Sequence, residues 1–133
     1  MKNTNGILNS KISRVIAEVG HTDLLLISDA GLPIPQSVER IDVAIVPNIP
    51  RFLDVLKAIL SELSVERIVL AEEIKSVNPR FNEEILSLFP SNIEVTYVSH
   101  TDFKRTTQCA RVAIRTGEFT PYANIILQAG VVF

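Results

Sequence analysis

The chain has 133 residues, 47% hydrophobic and 21% charged, which suits one folded domain over residues 1–133 and excludes a disordered chain. Its net charge of −2, with Lys and Arg scattered among Asp and Glu, excludes the basic cluster that nucleic-acid binding needs. A single cysteine excludes a disulfide framework and a cysteine-based zinc site, and no apolar run is long enough to cross a bilayer.

Ile12, Val15, Ile16 and Val19 follow the spacing of an amphipathic helix. Asn9 or Ser10 can cap its start, and Gly20 suits the left-handed residue past its end. Leu24 to Ser28 is a continuous apolar run, as in a strand covered on both faces. Asp29-Ala30-Gly31-Leu32-Pro33-Ile34-Pro35 follows as a stiff loop, because two prolines lock the backbone and remove donors. Ile41 to Val46 reads as a second strand ended by Pro47. Phe52, Val55, Leu56, Ile59, Leu60 and Leu63 form the stripe of a second helix, with Pro50 at its start.

Ile68 to Ala71 is a third buried strand. Asn78-Pro79 is a cap followed by a proline at the first helical position, opening a helix to about Leu88 that Pro90 stops. Ile93 to Val98 alternates as a strand, and Thr101-Asp102 can start a short helix. Val112 to Ile114 and Asn124 to Val132 supply further strands, separated by turns near Gly117 and Pro121. The pattern is α/β: a three-layer sandwich whose largely parallel sheet has helices on both faces, mixed where two strands follow each other without a helix.

Mean hydropathy is positive, high for a small monomer with a large surface. The chain also ends on Gly130-Val131-Val132-Phe133, apolar to its last residue, and this tail is expected to be docked. It has two destinations, a subunit interface or a final strand in its own sheet. Cys109, with no base in its neighbourhood, is expected to be an ordinary buried residue. The polar opening Met1 to Gly6 lacks a secretory signal's apolar stretch, so a cytoplasmic protein is expected, with neither a nucleic acid nor a membrane as partner.

In open α/β sheets, ligands bind beyond the carboxyl ends of strands. Three of the strands run into ionisable residues there: the first into Asp29, the third into Glu72 and Glu73, the fourth into His100. Of the two histidines, His21 lies just before a strand and His100 just after one. No HxH or HExxH spacing favours a metal, no GxSxG a serine hydrolase, and no glycine-rich loop a nucleotide. What remains is proton transfer by His and carboxylate, without cofactor or metal. Taken singly, His21 suits a structural hydrogen bond as well as catalysis, Asp29 can satisfy donors of its own turn, and Tyr122 suits a core or interface.

Gly20-His21-Thr22-Asp23, Asp29 to Pro35, Arg40-Ile41-Asp42, Ala71-Glu72-Glu73-Ile74-Lys75 and Asn78-Pro79 form an ordered series of motifs. Ile114 to Glu118, Pro121 to Leu127 and Ala129-Gly130-Val131 continue it. The series resembles the D-ribose pyranase family from about Leu8 to Phe133. The resemblance implies interconversion of ribopyranose and ribofuranose, with His21 as proton donor. It implies Asp29, His100 and the Tyr122-Ala123-Asn124 segment as the substrate-binding residues. It also implies a ring-shaped homo-oligomer, a homodecamer, in which a neighbouring subunit completes each site.

In this reading His21 works beside Asp29 in a shared pocket, while His100, Tyr122 and the Asn124 amide read sugar hydroxyls. Related fucose mutarotases share the His and Asp positions but usually lack the Gly31-Leu32-Pro33-Ile34-Pro35 spelling, which favours ribose. A mutarotase for fucose or another sugar, and a sugar-binding module without turnover, are the alternatives. Arg115 suits either substrate or an interface carboxylate; of Glu72 and Glu73, one can line the site and the other pair with Lys75.

Overall fold

A computed structural model describes residues 1–133. Helix α1 (Ser10–Glu18) starts at Asn9, whose side chain accepts the Ile12 N–H. It ends at Val19 in an extended conformation, so Gly20 is not the left-handed residue expected there. Thr22 takes the positive φ instead (73°), and its N–H reaches the Ala129 carbonyl. Helix α2 (Phe52–Leu60) begins at Arg51, which gives no side-chain cap of its own. A buried carboxylate from far along the chain, Glu118, accepts the Phe52 N–H instead. Helices α3 (Ile74–Val77) and α4 (Pro79–Leu86) follow, α4 opening on the expected Asn78 cap and Pro79. Helix α5 (His100–Thr106) is capped by Ser99 and runs into a 3₁₀ turn at Thr107–Cys109.

Strands β1 (Leu24–Ser28), β2 (Glu39–Asp42), β3 (Val65–Ala71), β4 (Glu94–Val98), β5 (Val112–Arg115) and β6 (Ile125–Ala129) form one sheet, in the order β2-β5-β1-β6-β3-β4. The pairs β1–β5, β2–β5 and β3–β4 are parallel, while β6 lies antiparallel between β1 and β3. Five strands therefore share a direction and β6 alone opposes them. The largely parallel, partly mixed sheet matches the expectation.

Strand β2 covers Glu39–Asp42 rather than Ile41 to Val46. After Asp42 its carboxylate takes the Ala44 N–H and turns the chain out of the sheet, leaving Ile45 and Val46 exposed. Strand β6 stops at Ala129, and Val132 and Phe133 are 90% and 101% exposed. A last strand buried in its own sheet is thus not where the tail goes. Cys109 is exposed, against the expected burial, because its 3₁₀ turn buries Thr107 instead.

Alternate residues of the strands feed two cores. On one face Val15, Phe52, Leu56, Ile59 and Ile85 cover Leu25, Ile27, Ile68, Leu70 and Ile114. On the other, Phe103 of α5, with Leu32 and Val38 of the proline loop, covers Leu26, Val69, Ala113 and Ile126. These are the three layers, with the second face served by one short helix and a loop. No helix is long and apolar enough to cross a membrane. Ile114 is fully buried in the larger core. Ile114→Ala is expected to lower stability by about 3 kcal/mol through lost burial and a residual cavity, measured as a shift in urea unfolding.

Candidate active site

The direction of β6 decides which loops meet. Asp29 and His100 follow the carboxyl ends of β1 and β4, and Arg115 is the last residue of β5. Because β6 runs the other way, the residues before it, Pro121 to Asn124, arrive at the same edge of the sheet. A cavity of about 540 Å³ opens there, lined among others by Asp29, Pro33, His100, Lys104, Arg115 and Tyr122. Its volume lies in the range of small-molecule sites.

Asp29 is rigidly held. Its Oδ1 accepts the N–H groups of Gly31 and Leu32 at 2.9 and 2.8 Å. Its Oδ2 accepts the Asn124 amide at 3.1 Å, and its own N–H donates to Asn124 Oδ1 at 2.9 Å. The turn-satisfying role of Asp29 and its place in the cavity are thus compatible, since Oδ2 keeps lone-pair capacity for a ligand. Asn124 is buried and engaged with Asp29, so it braces that carboxylate from behind. Its amide carries a second hydrogen beyond the one given to Asp29. Ala123 is buried too, its methyl group packed in the larger core.

His100 stands at the start of α5, where its backbone N–H donates to both oxygens of Glu73, at 2.8 and 3.1 Å. Its ring meets Tyr122 edge-on with centroids 5.1 Å apart. Its Nδ1 is buried and has no hydrogen-bond partner. A buried polar atom left unpaired costs free energy, which a ligand group can recover. Tyr122 holds a left-handed backbone (φ 61°), unusual for a residue with a side chain and characteristic of constrained sites. Of the two adjacent acids, Glu72 pairs with Lys75 and Glu73 holds His100.

His21 is elsewhere. It precedes β1, whereas Asp29 follows it, so the two lie at opposite ends of a strand roughly 17 Å long. A single chain brings Asp29, His100 and Tyr122 together and leaves His21 out. At its own edge the His21 ring contacts Glu66 at 2.9 Å.

Sequence reasoning missed Glu118, Lys104 and the Phe119–Pro121 turn as lining residues. Glu118 is buried, accepts from Arg51, Phe52 N–H and Thr120, and its carbonyl takes the Ala30 N–H. It ties the α2 start to the loop carrying Asp29, a role without a local sequence signal. Arg115 donates to the Ala30 carbonyl and to Asp42, both within its own chain. No group of three or more His, Cys, Asp or Glu side chains is arranged to hold a metal ion.

Residues 2–132 match the family described as the RbsD / FucU transport protein family. A D-ribose pyranase of Laribacter hongkongensis is 50% identical over 129 residues, covering 97% of this chain and 98% of that one. The structure of Bacillus subtilis RbsD complexed with D-ribose superimposes with a TM-score of 0.94 at 47% identity, covering all of both chains. A fucose mutarotase from Streptococcus pneumoniae in complex with L-fucose shares the fold, with a TM-score of 0.79 at 24% identity. Asn124→Ala leaves the Asp29 N–H without its buried partner and releases the carboxylate. It is expected to reduce stability by about 1–3 kcal/mol, measured by urea titration.

Proposed function

Because the chain belongs to the RbsD / FucU transport protein family, we propose that it is a D-ribose pyranase, interconverting ribopyranose and ribofuranose and so supplying furanose for ribose catabolism in the cytoplasm. The observation that carries this reading is the cavity holding a braced Asp29 carboxylate, an unpartnered His100 Nδ1 and the Tyr122 ring. A sugar offers both donors and acceptors, and this set answers both. Full-length similarity to D-ribose pyranases and to a ribose-complexed structure favours ribose over fucose.

The chemistry needs only proton transfer. The ring opens when the anomeric hydroxyl loses a proton and the ring oxygen gains one; attack of the other chain hydroxyl on the same carbonyl carbon closes the second ring. A positioned acid–base group contributes about 10²–10⁴-fold to such steps. In this reading Asp29, His100, Tyr122 and the Asn124 amide hold the sugar hydroxyls, with Ala123 in the same substrate-binding segment. His21 takes the proton of the anomeric hydroxyl and donates it to the ring oxygen.

His21 reaches a sugar only if another copy of the chain supplies it. Several features support such a shared site. The His21 side chain is 53% exposed, and Phe119 at the cavity rim is 63% exposed. Exposed Ile45, Val46 and Ile49 extend an apolar patch beside it, and the tail ends on exposed Val132 and Phe133. Apolar surface of this extent on one small chain marks an association surface. A closed ring of identical copies, a homodecamer in this reading, would seat each His21 at its neighbour's cavity.

His21→Ala is expected to abolish pyranose–furanose exchange in NMR saturation transfer while ribose binding stays detectable. Asp29→Ala is expected to weaken binding. Co-assembly of these two variants should raise exchange above that of either alone, at sites that pair an intact His21 with an intact Asp29. Undiminished exchange in His21→Ala sinks the proton-donor role, and no recovery in the mixed assembly sinks the shared site. Exchange should also survive exhaustive chelation.

A further inference from the structure

At the edge of the sheet opposite the cavity, three polar side chains stand in line behind His21. Arg67 Nε donates to Gln128 Oε1 at 3.0 Å, and Gln128 Nε2 donates to Glu66 Oε1 at 2.6 Å. Glu66 Oε2 then lies 2.9 Å from His21 Nε2. Successive residues of a regular strand face opposite sides of a sheet, yet Glu66 and Arg67 both reach Gln128. The register of β3 against β6 shifts between Val65 and Arg67, and this irregularity turns Glu66 toward the partners of Arg67.

We propose that Glu66 is the positioning residue of His21, fixing its imidazole with hydrogen on Nε2 so that the bare Nδ1 takes the anomeric hydroxyl's proton and, from the imidazolium so formed, passes it to the ring oxygen. The inference rests on His21 being the proton donor of the proposed reaction. Its logic is donor–acceptor bookkeeping. An arginine only donates, so Arg67 fixes the orientation of the Gln128 amide with its oxygen toward Arg67 and its NH₂ toward Glu66. An ionised carboxylate only accepts, so Nε2 of His21 must carry the hydrogen. The hydrogen bond from Gln128, then that from His21, holds the Glu66 carboxyl below the usual range, keeping it an acceptor as pH falls. The His21 ring makes one hydrogen bond within the chain, through Nε2, so Nδ1 is unengaged.

The other charges near the His21 turn do not compete. Asp23, in the same turn, accepts the Gly20 N–H at 2.9 Å and pairs with Arg111 at 3.3 Å. Arg67, on β3, is turned to Gln128. Glu66 is therefore the carboxylate that sets the ring, in the manner of the outer partners that fix imidazole tautomers elsewhere.

Glu66→Gln in the assembled enzyme is a sharp test. With Arg67 still holding Gln128, the new amide must turn its oxygen to Gln128 and its NH₂ to His21. The NH₂ then donates to Nε2 and forces the hydrogen onto Nδ1. Nitrogen-15 shifts of the His21 ring should report Nε2–H in the natural protein and Nδ1–H in this variant. The kcat for ribose ring exchange should fall about tenfold, the low end of what losing an imidazole's carboxylate partner costs at metal sites, with KM little changed. In Glu66→Gln/Gln128→Ala the amide is free to turn its oxygen to His21, so the Nε2–H tautomer and most of kcat should return. An unchanged tautomer, a wild-type kcat, or a loss carried by KM alone in Glu66→Gln overturns the inference. Persistent exchange in His21→Ala would instead overturn the reading on which it rests.

Discussion

Asn124 and Asp29 exchange two hydrogen bonds across the boundary between β6 and β1, and the cavity depends on that exchange. It is possible only because β6 enters the sheet against the direction of its neighbours, which delivers Tyr122 to Asn124 to the edge where β1 and β5 end. A parallel β6 would have carried the same residues to the far edge. With Asp29 also accepting two N–H groups from its own loop, the carboxylate has one orientation before any ligand arrives. Little ordering entropy is then left to lose on binding.

A second constraint is the buried carboxylate of Glu118. A charge taken out of water must be paired and hydrogen-bonded, and Glu118 meets that condition through Arg51, Thr120 and the first N–H of α2. Its side chain thus anchors a helix on one face while its backbone carbonyl holds Ala30 next to Asp29. Packing of the larger core and placement of the cavity wall are coupled through this one residue.

The sheet has two chemically distinct edges. One carries the cavity with Asp29, His100 and Tyr122; the other carries His21 with Glu66, Gln128 and Arg67. Each edge holds an imidazole beside a carboxylate, but the two differ in what is satisfied. Glu73 engages only the backbone of His100 and leaves Nδ1 unpaired, whereas Glu66 engages the His21 ring itself. The two ends of the sheet thus present different chemistry, an unpaired imidazole nitrogen inside a cavity at one and a carboxylate-held imidazole at the other.

Local chemistry made much of this legible in the residues alone. The Asn78-Pro79 start of α4, the apolar run of β1, the stiff loop after Asp29 and the alternation of helices and strands are set by caps, prolines and periodicity that act within a few residues. Sugar-ring chemistry is implied by the family resemblance that the ordered motifs carry, not by any one of them. The position of His21 before β1 and of Asp29 after it already separated them, since a strand has two ends. Only the tertiary structure decided that Asn124 braces Asp29, that Glu118 caps α2 and that Glu66 meets His21. These contacts join residues 95, 66 and 45 positions apart. No local propensity encodes pairings at such separations, because they follow from the strand order and from the one reversed strand at its centre.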